Sequence, residues 1–225
     1  MHFRFQDRAE AGRMLAQKLE NFAGNSEVVV LGLPRGGVPV AYEVARKLNV
    51  ALDVFLVRKL GAPGNEELAM GAIASGRVCV LNSEVVASLG IAQREIDQTI
   101  AKERGNLERR ELDYRSGSPV DLHGCSVILV DDGMATGASM RAAALAVRMH
   151  DVKEVVIAAP IAEAGLVEEF QRNGARTVCV FTASDFASVS EWYEDFTQTT
   201  DDEVRQLLAA AKSGFGGAHS FSKCA

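Results

Sequence analysis

The chain predicts an α/β fold built on a doubly wound parallel sheet. Three observations carry this. Short, continuous, largely β-branched runs stand at Val28 to Leu31 and Val127 to Val130, the pattern of strands buried on both faces. Strand-like runs alternate with helix-period segments through the second half. Gly-containing turns follow the two strongest runs and open directly into helices.

The elements follow in order. Gln6 to Phe22 has Ala11, Leu15, Leu19 and Phe22 on one face and predicts an amphipathic helix, ended by Ala23-Gly24-Asn25. The first strand runs from Glu27 to Gly32, a sharp loop from Leu33 to Gly37, a helix from Val38 to Leu48 and a second strand from Leu52 to Val57. The Gly/Pro-rich segment Arg58 to Asn65 is expected to be mobile. Leu68 to Ser75 and Val78 to Asn82 predict a hairpin around Gly76. Glu84 to Leu112 is charged and mostly helical, and its narrow stripe of Ile96, Ile100 and Leu107 suits a surface or an interface. Ser116 to Pro119 is a breaker. Then come strand Val127 to Val130, helix Ala138 to Met149, strand Glu154 to Ala158, helix Glu163 to Asn173 and strand Thr177 to Phe181. Asp185 to Thr200 is irregular and aromatic, and Asp201 to Ala211 forms a last helix. The expected organisation is one domain over residues 1–213. It has a core at about 27–181, a helical insertion at about 84–115, a hood at about 182–213 with the N-terminal helix, and a flexible tail at 214–225.

With 225 residues the chain can bury a sizeable core. A net charge of −6 argues against nucleic acid as the main partner. No apolar run approaches transmembrane length, and Met1 to Arg8 lacks a signal-peptide core. Cys79, Cys125, Cys179 and Cys224 are scattered without a C-x-x-C pair. They read as buried thiols in a reducing cytoplasm, and a zinc site is not expected.

The chemistry is concentrated in Val127 to Ser139. The strand ends in Asp131 and Asp132; Gly133, Met134, Ala135, Thr136, Gly137, Ala138 and Ser139 follow and enter a helix. Ligands of open α/β sheets sit beyond the carboxyl ends of strands. The glycines allow close backbone approach, Thr136 and Ser139 offer hydroxyls, and the helix start presents N–H groups to a phosphate. The acids would repel a phosphate laid on them, so they suit sugar hydroxyls or a metal bound there. Without a ligand, the same two acids would serve as an acidic N-cap.

This string resembles the phosphoribosyl-pyrophosphate (PRPP) motif of the type I phosphoribosyltransferases: a hydrophobic strand, two acids and a T-G-x-[ST] loop. Only Gly133 departs mildly, where a bulkier apolar residue often stands. The resemblance implies a Rossmann-like core with a small hood and a flexible hairpin loop. It also implies that Leu33 to Val38, with Arg35, Gly36 and Gly37, is the pyrophosphate loop, often holding a non-proline cis peptide, here at Pro34–Arg35 or its neighbour. Arg58-Lys59 is similar to the pair before the flexible catalytic loop of adenine phosphoribosyltransferases. Arg58 would then meet pyrophosphate and Lys59 would act in catalysis; otherwise the pair is a solvated surface feature. Glu66 and Glu67 read as solubilising charges. Phe186, Trp192 and Tyr193 are candidates to stack on a base in the hood, and Phe196 for its satellite core.

The function the resemblance implies is transfer of phosphoribosyl from PRPP to a nitrogenous acceptor, a nucleobase by preference, releasing pyrophosphate. Asp131 and Asp132 would orient the ribose and assist Mg2+, held largely by substrate and water. A homodimer is a possible assembly; nucleic acid and membranes are not expected partners. The alternatives are a PRPP- or nucleotide-sensing regulator on the same fold, or an unrelated nucleotide binder. The last would want G-x-G-x-x-G or a P-loop, and neither occurs.

Overall fold

In the computed structural model, which describes residues 3–114 and 119–215, five strands form the central parallel sheet. They are β1 (Val28–Gly32), β2 (Ala51–Val54), β6 (Ser126–Val130), β7 (Glu154–Glu163) and β8 (Arg176–Ala183), in the order β2-β1-β6-β7-β8. The sheet is wound from both sides. Val28, Val30, Ile128, Val130, Val156 and Ala158 enter one core with α1 (Arg8–Lys18), α2 (Gly37–Leu48) and α7 (Asp201–Gly214). Val29, Leu31, Val127, Leu129, Ile157 and Ala159 enter the other with α5 (Ala138–Arg148) and α6 (Ala164–Arg172). Every residue of β1 and β6 is buried, which is why those runs carry no polar alternation.

A second, antiparallel sheet holds β3 (Val57–Ala62), β4 (Asn65–Ala74) and β5 (Val78–Leu81). It corrects the expected mobile segment: Arg58 to Ala62 is strand, paired with β4, and Pro63 and Gly64 form only the turn. The second parallel strand accordingly ends at Val54, and Val57 opens β3. Leu60 and Ala62 are buried while Lys59 is exposed, so one face of β3 supplies the core. The hairpin expected around Gly76 is β4–β5.

The charged insertion is two helices, α3 (Ser83–Ser88) and α4 (Gln93–Tyr114), separated at Leu89-Gly90. Its narrow stripe reaches further in than expected: Ile96 and Leu107 are buried in the main core, and Ile100 packs beside them. A third cluster joins the N-terminus to the hood. Phe5 N donates to Trp192 O at 2.8 Å, Glu194 N donates to Phe5 O at 2.8 Å, and Phe5 packs on Tyr193 and Phe181. Cys79, Cys125 and Cys179 are thiols, not disulfide halves. Among the described residues no helix is long and apolar enough to cross a membrane. The expected breaker at Ser116 to Ser118 and most of the expected tail lie outside the described residues.

Candidate active site

Strand order makes the site. Counting parallel strands alone, the sheet runs 2-1-3-4-5, and the direction in which strands are added reverses between β1 and β6, which run parallel. Such a switch point leaves a crevice beyond the carboxyl ends of the two strands. Gly32 lies in register with Val130, and Leu33 N donates to Val130 O at 2.9 Å. The loop Leu33 to Gly37 and the loop Asp131 to Gly137 therefore leave the sheet side by side.

The first loop is shaped by close approach. The Pro34–Arg35 peptide is cis, one of the positions the family resemblance left open. A Cβ on Gly36 would overlap Asp132 Oδ2, and one on Gly37 would lie 2.6 Å from Val130 O. The Gly37 amide already donates to Leu33 O at 3.0 Å. Gly37, expected in the pyrophosphate loop, thus contributes room for the acid pair while its amide is taken up within the loop. Arg35 Nη1 lies 3.9 Å from Asp201 Oδ2 on α7, and Asp201 also accepts from the Tyr114 hydroxyl. Burial and that hydrogen bond push the Tyr114 phenol up to about 12.

The acid pair is asymmetric. Asp131 keeps some exposed surface, but its carboxyl is enclosed and accepts from Asp132 N at 2.9 Å. Desolvation, then the Asp132 charge, hold it well above the usual carboxylate range. Asp132 instead has a cation: Arg8 Nε donates to its Oδ2 at 2.8 Å. The Tyr193 hydroxyl donates to Asp132 O at 2.6 Å. Tyr193 is buried, with Phe5 and Phe196 against its ring, and burial pushes its phenol far up. That corrects its expected role: no face of Tyr193 is left for a base, and its hydroxyl fixes the acid loop. Phe186 and Trp192 are half-buried and stack on each other.

The second loop continues as an extra bridge to β7. Met134 N donates to Ile161 O and Glu163 N to Met134 O, both at 2.9 Å, which buries Met134. Ala135, Thr136, Ala138 and Ser139 stay exposed above it. Gly137 takes the left-handed conformation (φ 68°) at the N-cap of α5. No side chain caps α5, nor α2 at Gly36. Asp7, Asn82, Glu163 and Thr200 do cap α1, α3, α6 and α7. Of these helix starts, the two without a side-chain cap are the two that the crevice loops lead into directly, where an anion could take donors.

Two arginines missing from the sequence reading brace these loops. Arg8 belongs to α1, and nothing in the local sequence links it to a residue 124 positions away. Arg141 Nη1 donates to Thr136 O at 2.7 Å, and its Nε and Nη2 hold both oxygens of Glu169 at 2.5 and 2.6 Å. That bidentate contact lowers the Glu169 carboxyl and raises the Arg141 guanidinium. One helical turn beyond the loop, an arginine was the available signal.

Arg58 and Lys59 sit elsewhere than expected. They lie within β3, not at the end of a parallel strand. With Thr99, Lys102 and Glu103 of α4 they line a cleft of about 330 Å³. Arg58 Nε is 3.6 Å from Glu103 Oε2. Arg58 also borders a small void with Pro34 of the first loop, which sets β3 beside that loop.

A model of the phosphoribosyl transferase domain matches residues 6–185. The chain belongs to the phosphoribosyl transferase domain family. The family match takes in α1, both crevice loops and the strands β1 to β8. Relatives named "Putative phosphoribosyl transferase" in the CDC 1551 and H37Rv strains of Mycobacterium tuberculosis are each 44% identical over 222 residues. Those alignments cover 98% of this chain and 50% of each relative, so the chain spans about half the length of the curated relatives it matches. The crystal structure of TT1426 from Thermus thermophilus is 43% identical and superposes with a TM-score of 0.82, covering 92% of this chain and 98% of that one. The family match ends before α7, while the similarity to these relatives extends over nearly the whole chain.

Proposed function

We propose that the protein binds PRPP across the crevice between β1 and β6 and transfers its phosphoribosyl group to a nitrogenous acceptor, a nucleobase by preference, releasing pyrophosphate. The observation that carries this reading is the pairing of two loops, each entering a helix without a side-chain cap, on either side of an acid pair. PRPP has a phosphate at one end, a pyrophosphate at the other and vicinal hydroxyls between. The loop Met134 to Ser139 suits the 5′-phosphate, and Arg35 with the Gly36 turn suits the pyrophosphate. Asp131 and Asp132 suit the hydroxyls, as acceptors of charge-assisted hydrogen bonds.

The acid pair fits Mg2+ as an ion that keeps most of its oxygens from substrate and water. Two adjacent carboxylates are present, and no group of three or more potential ligands occurs among the described residues. When bound, the ion would neutralise departing pyrophosphate. The residues do the rest. Transfer with oxocarbenium character needs no strong nucleophile from the protein; it needs a fixed ribose and exclusion of water. The braced loop around Thr136 fixes the phosphate end. Lys59, on the hairpin β3–β4 beside the first loop, supplies positive charge as the leaving group develops its own. Phe186 and Trp192 offer the hood's apolar surface to the acceptor.

The test is a panel of purine and pyrimidine bases with PRPP and Mg2+, scored by pyrophosphate release and by the new nucleoside monophosphate. One acceptor should give both products in equal amounts. PRPP binding with no release from any acceptor would favour a sensor over an enzyme.

A further inference from the structure

Arg8 commits its guanidinium in an unusual way for the first residue of a helix. Its Nε donates to Asp132 Oδ2 at 2.8 Å and its Nη1 to Thr197 O at 2.7 Å. The group also lies 4.0 Å above the Phe196 ring. The side chain is 11% exposed, and that of Asp132 14%. A charge this enclosed is tolerated only with partners, and here they come from three places: the acid loop, the hood backbone and a hood aromatic. Docking of α1 needs none of this, since Ala11, Leu15 and Ala16 bury its apolar side.

The acid pair explains the arrangement. Asp131 and Asp132 are adjacent carboxylates at the point where a polyanion would arrive, joined by the Asp132 amide on Asp131 Oδ1. Arg8 reduces the pair's formal charge from −2 to −1 and pins one oxygen of Asp132. Its second arm ends on Thr197, so one side chain ties the acid loop to the hood. A planar, forked cation can hold both acceptors and stack on a ring, whereas an ammonium can satisfy only part of that set.

We propose that Arg8 is a positioning residue for the ribose end of PRPP, supplying the counter-charge and tether that hold Asp132 toward the sugar hydroxyls; this rests on the PRPP reading above. It is assigned from contacts within the chain and does not touch the reacting atoms.

The experiment is calorimetric titration of PRPP with Mg2+ into wild type, Arg8→Lys, Arg8→Ala, Asp132→Asn and the Arg8→Ala/Asp132→Asn double variant, with a melting curve for each. Arg8→Lys should melt close to wild type yet bind PRPP about tenfold more weakly, and Arg8→Ala more weakly still, up to about a hundredfold. The losses in Arg8→Ala and Asp132→Asn should not add in the double variant, because they break one contact. Millimolar guanidinium should restore part of the binding of Arg8→Ala and none of that of Asp132→Asn. If Arg8→Ala fails to fold, Arg8→Lys and its cycle with Asp132→Asn carry the test. Wild-type affinity in both Arg8 variants, or strictly additive losses, overturns the role of Arg8 alone. Absence of PRPP binding by the wild type overturns the PRPP reading and this role together.

Discussion

Asp131 shows how a single residue can serve a ligand at the expense of the fold. In the unfolded chain its carboxyl ionises near the ordinary value of about 3.9. In the folded protein, desolvation and the neighbouring Asp132 charge keep the proton on to higher pH. Below about pH 3.9 both states are protonated and the site costs no stability. As pH rises from there toward the folded value, the unfolded chain ionises while the folded site keeps its proton, so the cost grows and levels off once the folded value is passed. Asp131→Asn should therefore melt higher than wild type at neutral pH, and that gain should shrink as pH falls to about 4. The same variant should bind PRPP about tenfold more weakly, for want of a charged acceptor. Melting curves over a pH series, with PRPP titrations alongside, read both effects. A variant less stable than wild type at neutral pH would contradict this account of Asp131. The sequence displays both acids but not their inequality, because Arg8, Tyr193 and Gly36 reach them from distant parts of the chain. Tyr193 misleads for the same reason: an aromatic in a polar stretch looks available for stacking until Phe5 is placed against it.

At the scale of elements, the legible parts were those fixed by nearest neighbours. β1, β6 and α5 lie close to where hydrophobic runs and turn glycines set them, and β7 runs beyond its expected end to Glu163 to bridge Met134. Arg58 to Asn65 was not legible, since Gly61, Pro63 and Gly64 give it a loop's composition. Pairing with β4 overrides that composition, and Pro63 and Gly64 keep only the turn. The consequence is functional: Lys59 rides on a hairpin beside the first loop and not on a parallel-strand end. Its charge would matter most as pyrophosphate leaves, so Lys59→Ala should lower the transfer rate by about a hundredfold while changing PRPP affinity far less. Lys47, exposed on α2, is the control, and Lys47→Ala should leave both constants near wild type. Pre-steady-state pyrophosphate release separates the two constants. A wild-type rate in Lys59→Ala would reduce Lys59 to a surface charge.

At the scale of the molecule, the doubly wound class could be read because residues of both parities are apolar in β1 and β6, which only a two-sided sheet explains. Strand order could not, since parallel strands are joined by crossovers that leave no local trace of which neighbour they choose. Yet strand order is what brings residues 33–37 beside residues 131–137, nearly a hundred positions on, and makes a crevice of two turns. The central claim is that this crevice takes PRPP. It is tested most directly by the melting temperature of the wild-type chain with PRPP and Mg2+, with PRPP alone and with Mg2+ alone. At a hundredfold excess over its dissociation constant, PRPP with Mg2+ should stabilise the protein by about 2.7 kcal/mol. PRPP alone should give less, because the acid pair then faces an unneutralised polyanion. A melting curve unmoved by millimolar PRPP with Mg2+ would contradict the claim.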